Sequence, residues 1–528
     1  MRFLVPIAEF DFDTSNQELV KNGKLSINSN TSVNEVKAHF FETLAKLGEI
    51  MKINADYNLS ELSDLCQMND VIFACFHETP PENIACRLLY HTKGALMLSG
   101  GFLDRWTFMD TTMNIVTSQK QSSQLKESLG NVAPLLGAFV SKMNTDDFRL
   151  PSKDEQEKAR VRYKIKDDTF HIVFGGRFIS NKGIAQLVRA LNIWPEKNIH
   201  ITLVGNFEPD FFIYQSNAAH ATFISFFERE IIGQNKNGEL VCLPSMNHQD
   251  LCELFWSADC FGFPSFHEDE AIGTTPRLAM LCGVPVVATD FCGFSQLANT
   301  KSGMIKTYPT LGGVRYSLNQ LAEEISTIRN WNDYEKNANI KFNAEVVLDF
   351  CNTEKSELEL KTAVEQLLKI PVCEAPTGGW RSKERFDKWI KKAPNAFQEA
   401  VALAKTPFPD GLYTDGTGDI GLGWFSEPHF LKAIQGIYTT YPVAPKAITG
   451  STYRGFWRIA IWKEEKAVVE FGFPGPRIKR YSSAEWDLLM QCIKLGDNGE
   501  PVFYPDNLKA LELVDELILL GYLVPDKF

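Results

Sequence analysis

The feature that most constrains this chain is an alternation of strand-like and helix-like segments that runs twice, with a charged break between the runs. In residues 1–150, RFLVPIAEF starts as a strand, and SVNEVKAHFFETLAKLG carries Val33, Val36, Phe40, Leu44 and Leu47 at helical spacing behind Ser32 as N-cap. EIMKINA, DVIFACF, GALMLSG, MNIVTS and APLLGAF follow as apolar runs of buried-strand length. The polar stretch DDFRLPSKDEQEKARVRYKIKDD reads as a linker, after which the alternation restarts with HIVFGG, NKGIAQLVRALNIW, HITLVG, ELVCLP, NHQDLCELFWSA, DCFGFPS, TPRLAMLC and VPVVATD. Such alternation builds parallel sheets covered by helices on both faces, and two such blocks place a ligand cleft between the carboxyl ends of their strands. From about residue 371 the rhythm breaks. The expected layout is therefore 1–152, 153–370 closing on the helix TEKSELELKTAVEQLLKI, and an α+β accessory region at 371–528, in line with about 100–200 residues per domain.

Composition removes several function classes. The net charge of −12 disfavours a protein that wraps nucleic acid, which needs clustered Lys and Arg to neutralise phosphates. The 11 cysteines stand singly and form no CxxC pair, and an odd number excludes a complete disulfide framework, so buried thiols in a reducing compartment fit better. MRFLVPIAEFDFD is unlike a signal peptide, and no apolar run approaches the ~20 residues that span a bilayer. The expectation is a soluble cytoplasmic protein.

Two segments carry the chemistry. GGRFISNKG, Gly175 to Gly183, joins a strand to a helix. Gly175 and Gly176 let the backbone approach a ligand closely, and Arg177 and Lys182 can converge on one anion beside the positive helix end that begins near Lys182. The second segment, PSFHEDEAIGTTPRLAMLCGVPVVATD, runs from Pro264 to Asp290. An acidic loop ends in Glu270, placed to accept hydrogen bonds from sugar hydroxyls. Gly273-Thr274-Thr275 then opens a helix whose N–H groups suit a phosphate. Each segment alone is also compatible with an ordinary strand–turn–helix with solvated charges.

Order and spacing together resemble the donor-binding domain of family 4 glycosyltransferases, retaining enzymes of GT-B fold. The matching series is Gly176-Arg177, Lys182-Gly183, Val204-Gly205, Leu243-Pro244, Ala258-Asp259, Pro264-Ser265, Glu270, Gly273 and Gly283-Val284-Pro285-Val286-Val287-Ala288, with Gly293 and Gly303 beyond it. The resemblance covers about 175–305 well and extends weakly over 1–170. It implies two Rossmann-like domains facing a cleft, plus the accessory region.

By this resemblance Arg177 and Lys182 hold the donor diphosphate, Glu270 contacts the sugar, and the amides of Thr274 and Thr275 sit under phosphate. Gly205 and Pro244, Ser245 and Met246 lie near the nucleotide. His77, after the strand DVIFACF, stands where family members place a histidine facing the donor sugar; a loop histidine without a role is the other reading. No Asp-x-Asp metal motif lies at a strand end. No metal or cofactor is expected, because the two cations neutralise the leaving diphosphate. One position departs from the pattern: where the family carries a second glutamate for the ribose hydroxyls, this chain has Leu278.

The C-terminal region leaves its readings open. WRSKERFDKWIKK, with Trp380, Phe386, Trp389 and Ile390 among six basic residues, can lie on the inner face of an anionic membrane or pack its aromatic face on the body. DGTGDIGLGWF lacks the context of a nucleotide fingerprint and reads as a loop. STYRGFWRIAIWKEEKAVVEFGFP reads as β-rich, and the acidic helices after it suit protein contact or plain packing. The function expected is retaining, hexosyltransferase-type transfer from a nucleotide-diphosphate sugar. The acceptor is open among glycan, lipid-linked sugar, small molecule and protein. The competing readings are a non-catalytic GT-B scaffold, supported by Leu278, and a nucleotide-sugar epimerase of the same fold.

Overall fold

The computed structural model describes residues 1–6, 31–53, 71–76, 95–98, 112–116, 122, 135–140, 147–194, 198–207, 224–236, 238–266, 273–290, 294, 297, 303–310, 313–369, 391–392, 444–472, 476–496 and 499–527. It divides into two compact units, 1–143 with 348–440, and 144–347 with 441–528.

The first unit holds β1 (Arg2–Pro6), α1 (Thr31–Leu47), β2 (Glu49–Ile53), β3 (Val71–Phe76), β4 (Ala95–Leu98), β5 (Thr112–Val116) and β6 (Leu135–Ala138). Its strands pair in parallel in the order β2-β1-β3-β4-β5-β6. The helix starts at Thr31, so Ser32 lies within it rather than capping it. Phe40, Phe41 and Leu44 of α1 pack with Phe3, Val5, Ile72, Ile115 and Phe139.

The second unit begins with α2 (Lys153–Arg162), β7 (Phe170–Gly175), α3 (Ile184–Ile193), β8 (Ile199–Val204), β9 (Gly238–Leu243), α4 (His248–Trp256), β10 (Cys260–Phe263), α5 (Thr274–Leu281), β11 (Val286–Thr289) and β12 (Gly303–Ile305). All six strands are parallel, in the order β12-β11-β10-β7-β8-β9. Strands β7, β8, β10 and β11 are buried along their whole length, which explains why each reads as a mostly apolar run, with His171 in β7 and His200 and Thr202 in β8 as the interior polar residues. A hairpin of β13 (Thr307–Thr310) and β14 (Gly313–Tyr316) and then α6 (Leu318–Arg329) complete this part.

Two segments differ from the sequence reading. The supposed linker contains α2, whose N-cap Ser152 forms a capping box with Glu155. Arg160 binds Asp259 at 3.1 Å, Arg162 binds Asp250 at 2.6 Å, and the Tyr163 hydroxyl donates to the Asp250 carbonyl at 2.9 Å. The charges that resembled a linker thus anchor a helix to the second unit. After α7 (Asp333–Phe350), the closing helix α8 (Thr353–Leu368) carries Leu360, Ala363, Val364 and Leu367 on one stripe. That stripe joins the core of the first sheet, so α8 belongs to the first unit and not to the 153–370 span.

The described C-terminal residues form β15 (Tyr453–Gly455), β16 (Arg458–Trp462), β17 (Ala467–Phe471), β18 (Arg477–Arg480), α9 (Ser483–Gln491), β19 (Ile493–Leu495), β20 (Pro501–Phe503), α10 (Leu508–Leu519) and β21 (Leu523–Pro525). A four-stranded sheet in the order β19-β20-β15-β21 and the meander β16-β17-β18 are antiparallel throughout. The acidic helices α9 and α10 bury Trp486, Leu489, Leu513, Val514, Leu517 and Ile518 against this β-structure.

The described part of this region clusters with residues 144–347. Arg189 of α3 binds the Glu500 carboxylate at 2.7 and 2.9 Å and the Gly455 carbonyl at 3.0 Å. Arg458 binds the buried Glu230 carboxylate at 3.0–3.3 Å. The Arg315 guanidinium is fully buried and donates to the Gly521 carbonyl at 2.8 Å; burial pulls its pKa down to about 10. The basic-aromatic stretch at 380–390 and the Gly-rich loop lie outside the described residues. Among the described residues no helix is long and apolar enough to cross a membrane.

Candidate functional site

Numbered from its first strand, the second sheet has the order 3-2-1-4-5-6 read from β9, so its topological switch point falls between β7 and β10. Ligands of open α/β sheets bind in the crevice outside the carboxyl ends of such strands. Both chemistry-bearing segments start there, one after Gly175 and the other after Phe263.

Glycine is structural at this end of the sheet. Gly205 has φ +154°, and a Cβ on it would lie 1.8 Å from the Gly176 carbonyl oxygen. The Gly205 N–H donates to the Leu243 carbonyl and the Gly176 N–H to the Val204 carbonyl, so the ends of β7, β8 and β9 are stitched together. A Cβ on Gly175 would come within 3.0 Å of the Thr275 methyl, which brings the first turn of α5 against the end of β7.

Lys182 closes a short 3-10 turn, Ser180–Lys182, and α3 begins only at Ile184, after Gly183 in the left-handed conformation at φ +79°. The lysine therefore precedes the helix instead of opening it. It is 6% exposed, with Nζ 5.8 Å from the Phe263 ring centroid, a distance at which the ring face attracts a cation. Arg177, half-buried, leaves the end of β7 on the same connection.

At α5 the N-cap is Gly273, left-handed at φ +63°, and no side chain caps the helix. Helix starts leave N–H groups that backbone cannot satisfy, and here those of Thr274 and Thr275 carry the positive end of the dipole. Arg277, 1% exposed, brings its guanidinium to 3.5 Å from where a Gly273 Cβ would stand. The sequence reading missed this buried cation beside the helix start; its signal was the Arg in TTPRLAM.

Leu278 is 7% exposed within α5, one turn beyond Thr274. Pro244, Ser245 and Met246 follow β9, where the Ser245 N–H is held by the Asn206 side chain at 3.1 Å. The motif residue Asp259 lies at the other end of the sheet. Its carboxylate receives the His171 N–H at 2.8 Å and Arg160 at 3.1 Å, which makes it a scaffold residue. His77, Glu270 and Gly293 lie outside the described residues.

The structure thus gathers Gly175, Gly176, Lys182, Gly205, Gly273, Thr274 and Thr275 at one switch point. Residues 155–309 match the model of the family described as glycosyl transferases group 1. Two curated relatives are D-inositol 3-phosphate glycosyltransferases. That of Paenarthrobacter aurescens is 27% identical over 164 residues, covering 30% of this chain and 37% of the relative. That of Pseudarthrobacter chlorophenolicus is 28% identical over 144 residues, covering 26% of this chain and 31% of the relative. The chain therefore spans about a third of the length of the curated relatives it matches. Sucrose-phosphate synthase of Thermosynechococcus elongatus is 16% identical with a TM-score of 0.47, over 70% of this chain and 99% of that one. The matched span holds every candidate residue except His77.

Proposed function

We propose that this protein transfers a hexosyl group from a nucleoside-diphosphate sugar to an acceptor with retention of configuration at the anomeric carbon. The observation that carries the reading is a buried lysine and an uncapped helix start at the switch point of a six-stranded parallel sheet, inside the span that matches the glycosyltransferase family model.

In this reaction the donor C1–O bond breaks and its electrons leave with the diphosphate, while the acceptor oxygen bonds to C1 from the same face. The acceptor proton passes to a donor phosphate oxygen, so no pair of enzymic carboxylates is needed, in contrast to glycosidases. Arg177, Lys182 and the amides of Thr274 and Thr275 hold the growing negative charge, each such group contributing ~3–4 kcal/mol in a water-poor site. These cations take the neutralising role, and the reaction proceeds without a bound metal. Glu270 orients the sugar hydroxyls, with His77 toward the donor sugar. Residues 244–246 lie toward the base.

Leu278 supports a second reading. A buried leucine accepts no hydrogen bond from a ribose, so the same fold can serve as a binding scaffold. A donor screen with UDP-, GDP- and ADP-sugars, read by product mass and anomeric configuration, separates the two. Transfer by the wild type, lost about 100-fold or more in Arg177→Ala and Lys182→Ala, is the expected result. Near-wild-type turnover in either variant overturns the mechanism, and nucleotide binding without transfer favours the scaffold.

A further inference from the structure

The segment that leaves β10 is locked to the lysine turn. The Phe266 N–H donates to the Asn181 carbonyl at 2.8 Å, and a Cβ on Gly183 would stand 2.1 Å from the Pro264 carbonyl oxygen. The same Pro264 carbonyl accepts a hydrogen bond from the Tyr316 hydroxyl at 2.7 Å. Tyr316 is fully buried, which raises its pKa and keeps the hydroxyl a donor. Residues 181–183 and 264–266 are thus one packed unit, with Lys182 inside it.

What backs this unit comes from the C-terminal region. The Phe456 ring, fully buried, meets Phe266 edge-on with centroids 5.3 Å apart and Tyr316 at 5.1 Å. The Arg315 guanidinium lies 4.5 Å from the centre of the same ring. Trp457 adds a second edge to Phe266 at 6.0 Å. Gln186 of α3 donates to the Phe456 carbonyl at 3.5 Å, and the Phe456 N–H donates to the Tyr522 carbonyl at 3.1 Å, so the corner is tied on both sides.

We propose that Phe456 is a positioning residue for the diphosphate end of the donor site, acting through Phe266 and Tyr316 on the turn that carries Lys182. The C-terminal region then acts as the rear wall of the nucleotide half, a role distinct from choosing an acceptor or a partner. The inference rests on Lys182 as a diphosphate ligand. Loosening the wall lets the turn drift, and diphosphate contacts fall off steeply with misplacement of about 1 Å. Contacts to the nucleoside, made two strands away after β9, are spared.

The test is the preference for a nucleoside diphosphate over its monophosphate, measured as Kd ratios for UDP/UMP, GDP/GMP and ADP/AMP. The proteins compared are the wild type, Phe456→Leu, Tyr316→Phe and Leu517→Ala. Leu517 lies in the C-terminal core cluster, which includes neither Phe456, Phe266 nor Tyr316, and reports the effect of weakening the region. Phe456→Leu and Tyr316→Phe are expected to cut the preference at least fivefold with monophosphate affinity within twofold of wild type, while Leu517→Ala keeps the preference. Tyr316→Phe removes only one hydroxyl, and an unchanged preference in it breaks the link through which Phe456 is proposed to act, so the inference stays refutable if Phe456→Leu does not fold. An unchanged preference in the folded variants, or equal loss of mono- and diphosphate binding, overturns the inference while the donor reading stands. A wild type that binds no nucleotide, or shows no diphosphate preference, overturns the donor reading and this inference with it.

Discussion

Replacing Gly183 by alanine tests the packing at the site with a built-in control. Gly183 has φ +79°, and a Cβ there would lie 2.1 Å from the Pro264 carbonyl oxygen. Ordinary carbon–oxygen contacts begin near 3.3 Å, so the lysine turn and the segment after β10 must separate by about 1 Å. The left-handed backbone costs a non-glycine residue about 1–2 kcal/mol, and forcing packed backbone apart adds about 1–3 kcal/mol. Gly450 has φ +82° with nothing within 4 Å of the same added atom, so Gly450→Ala carries the backbone term alone. The reduced freedom of the unfolded chain is common to both variants and cancels in their comparison. Gly183→Ala should therefore unfold about 5 °C below Gly450→Ala in a calorimetric scan, at roughly 2–4 °C per kcal/mol for a unit of this size. It should also lose its stabilisation by nucleoside diphosphates, which Gly450→Ala keeps. Equal midpoints for the two variants would refute the close approach of the two segments.

Three further outcomes follow from the geometry. Arg189→Ala leaves the Glu500 carboxylate without its bidentate partner. It should cost about 3 kcal/mol in denaturant titration, with part recovered in the double variant Arg189→Ala/Glu500→Ala. His171 is buried between the Ser257 carbonyl and the Thr202 hydroxyl at 2.9 and 2.8 Å, and desolvation lowers its pKa to about 3. Its folded pKa lies below the unfolded one, so stability is intact above about pH 6.5 and falls as the unfolded chain takes up the proton. From pH 7 to pH 5 the wild type should lose about 2 kcal/mol more than His171→Gln, read by chemical denaturation; equal losses would remove His171 from the account. Gly205→Ala, whose Cβ would overlap the Gly176 carbonyl at 1.8 Å, should lower the expression of folded protein; wild-type stability in that variant would contradict the stitching of β7 to β8.

The sheets were legible because their central strands are buried on both faces, so HIVFGG, HITLVG and VPVVATD are mostly apolar and carry no charged residue before the closing Asp290. The motif glycines were legible as positions of close backbone approach, but the left-handed backbone at Gly183 and Gly273, φ +79° and +63°, comes from the structure; glycine adopts it without the Cβ penalty. Long-range pairing was not. The helix NKGIAQLVRALNIW was read only as one element of the alternation, yet its Gln186 and Arg189 are buried, because β15 and the residues beyond it cover that face. Nothing local in Phe456 or Phe266 announces that they meet across about 190 positions of chain. The charged run that contains α2 looked solvated because the partners of its Arg160 and Arg162, namely Asp250, Glu253 and Asp259, lie about 90 residues away. Asp259 itself showed how a motif position can serve the scaffold at the opposite end of the sheet from the ligand.

The most direct test of the central claim is the thermal shift of the wild type and of Lys182→Met, which keeps side-chain volume, against UDP, GDP, ADP and their sugar conjugates. A ligand at a hundredfold excess over its Kd stabilises the folded state by about 2.7 kcal/mol. The account predicts a response of that size in the wild type to at least one nucleotide sugar, and its loss in Lys182→Met at unchanged unliganded stability. No response in the wild type, or a full response in Lys182→Met, would contradict it.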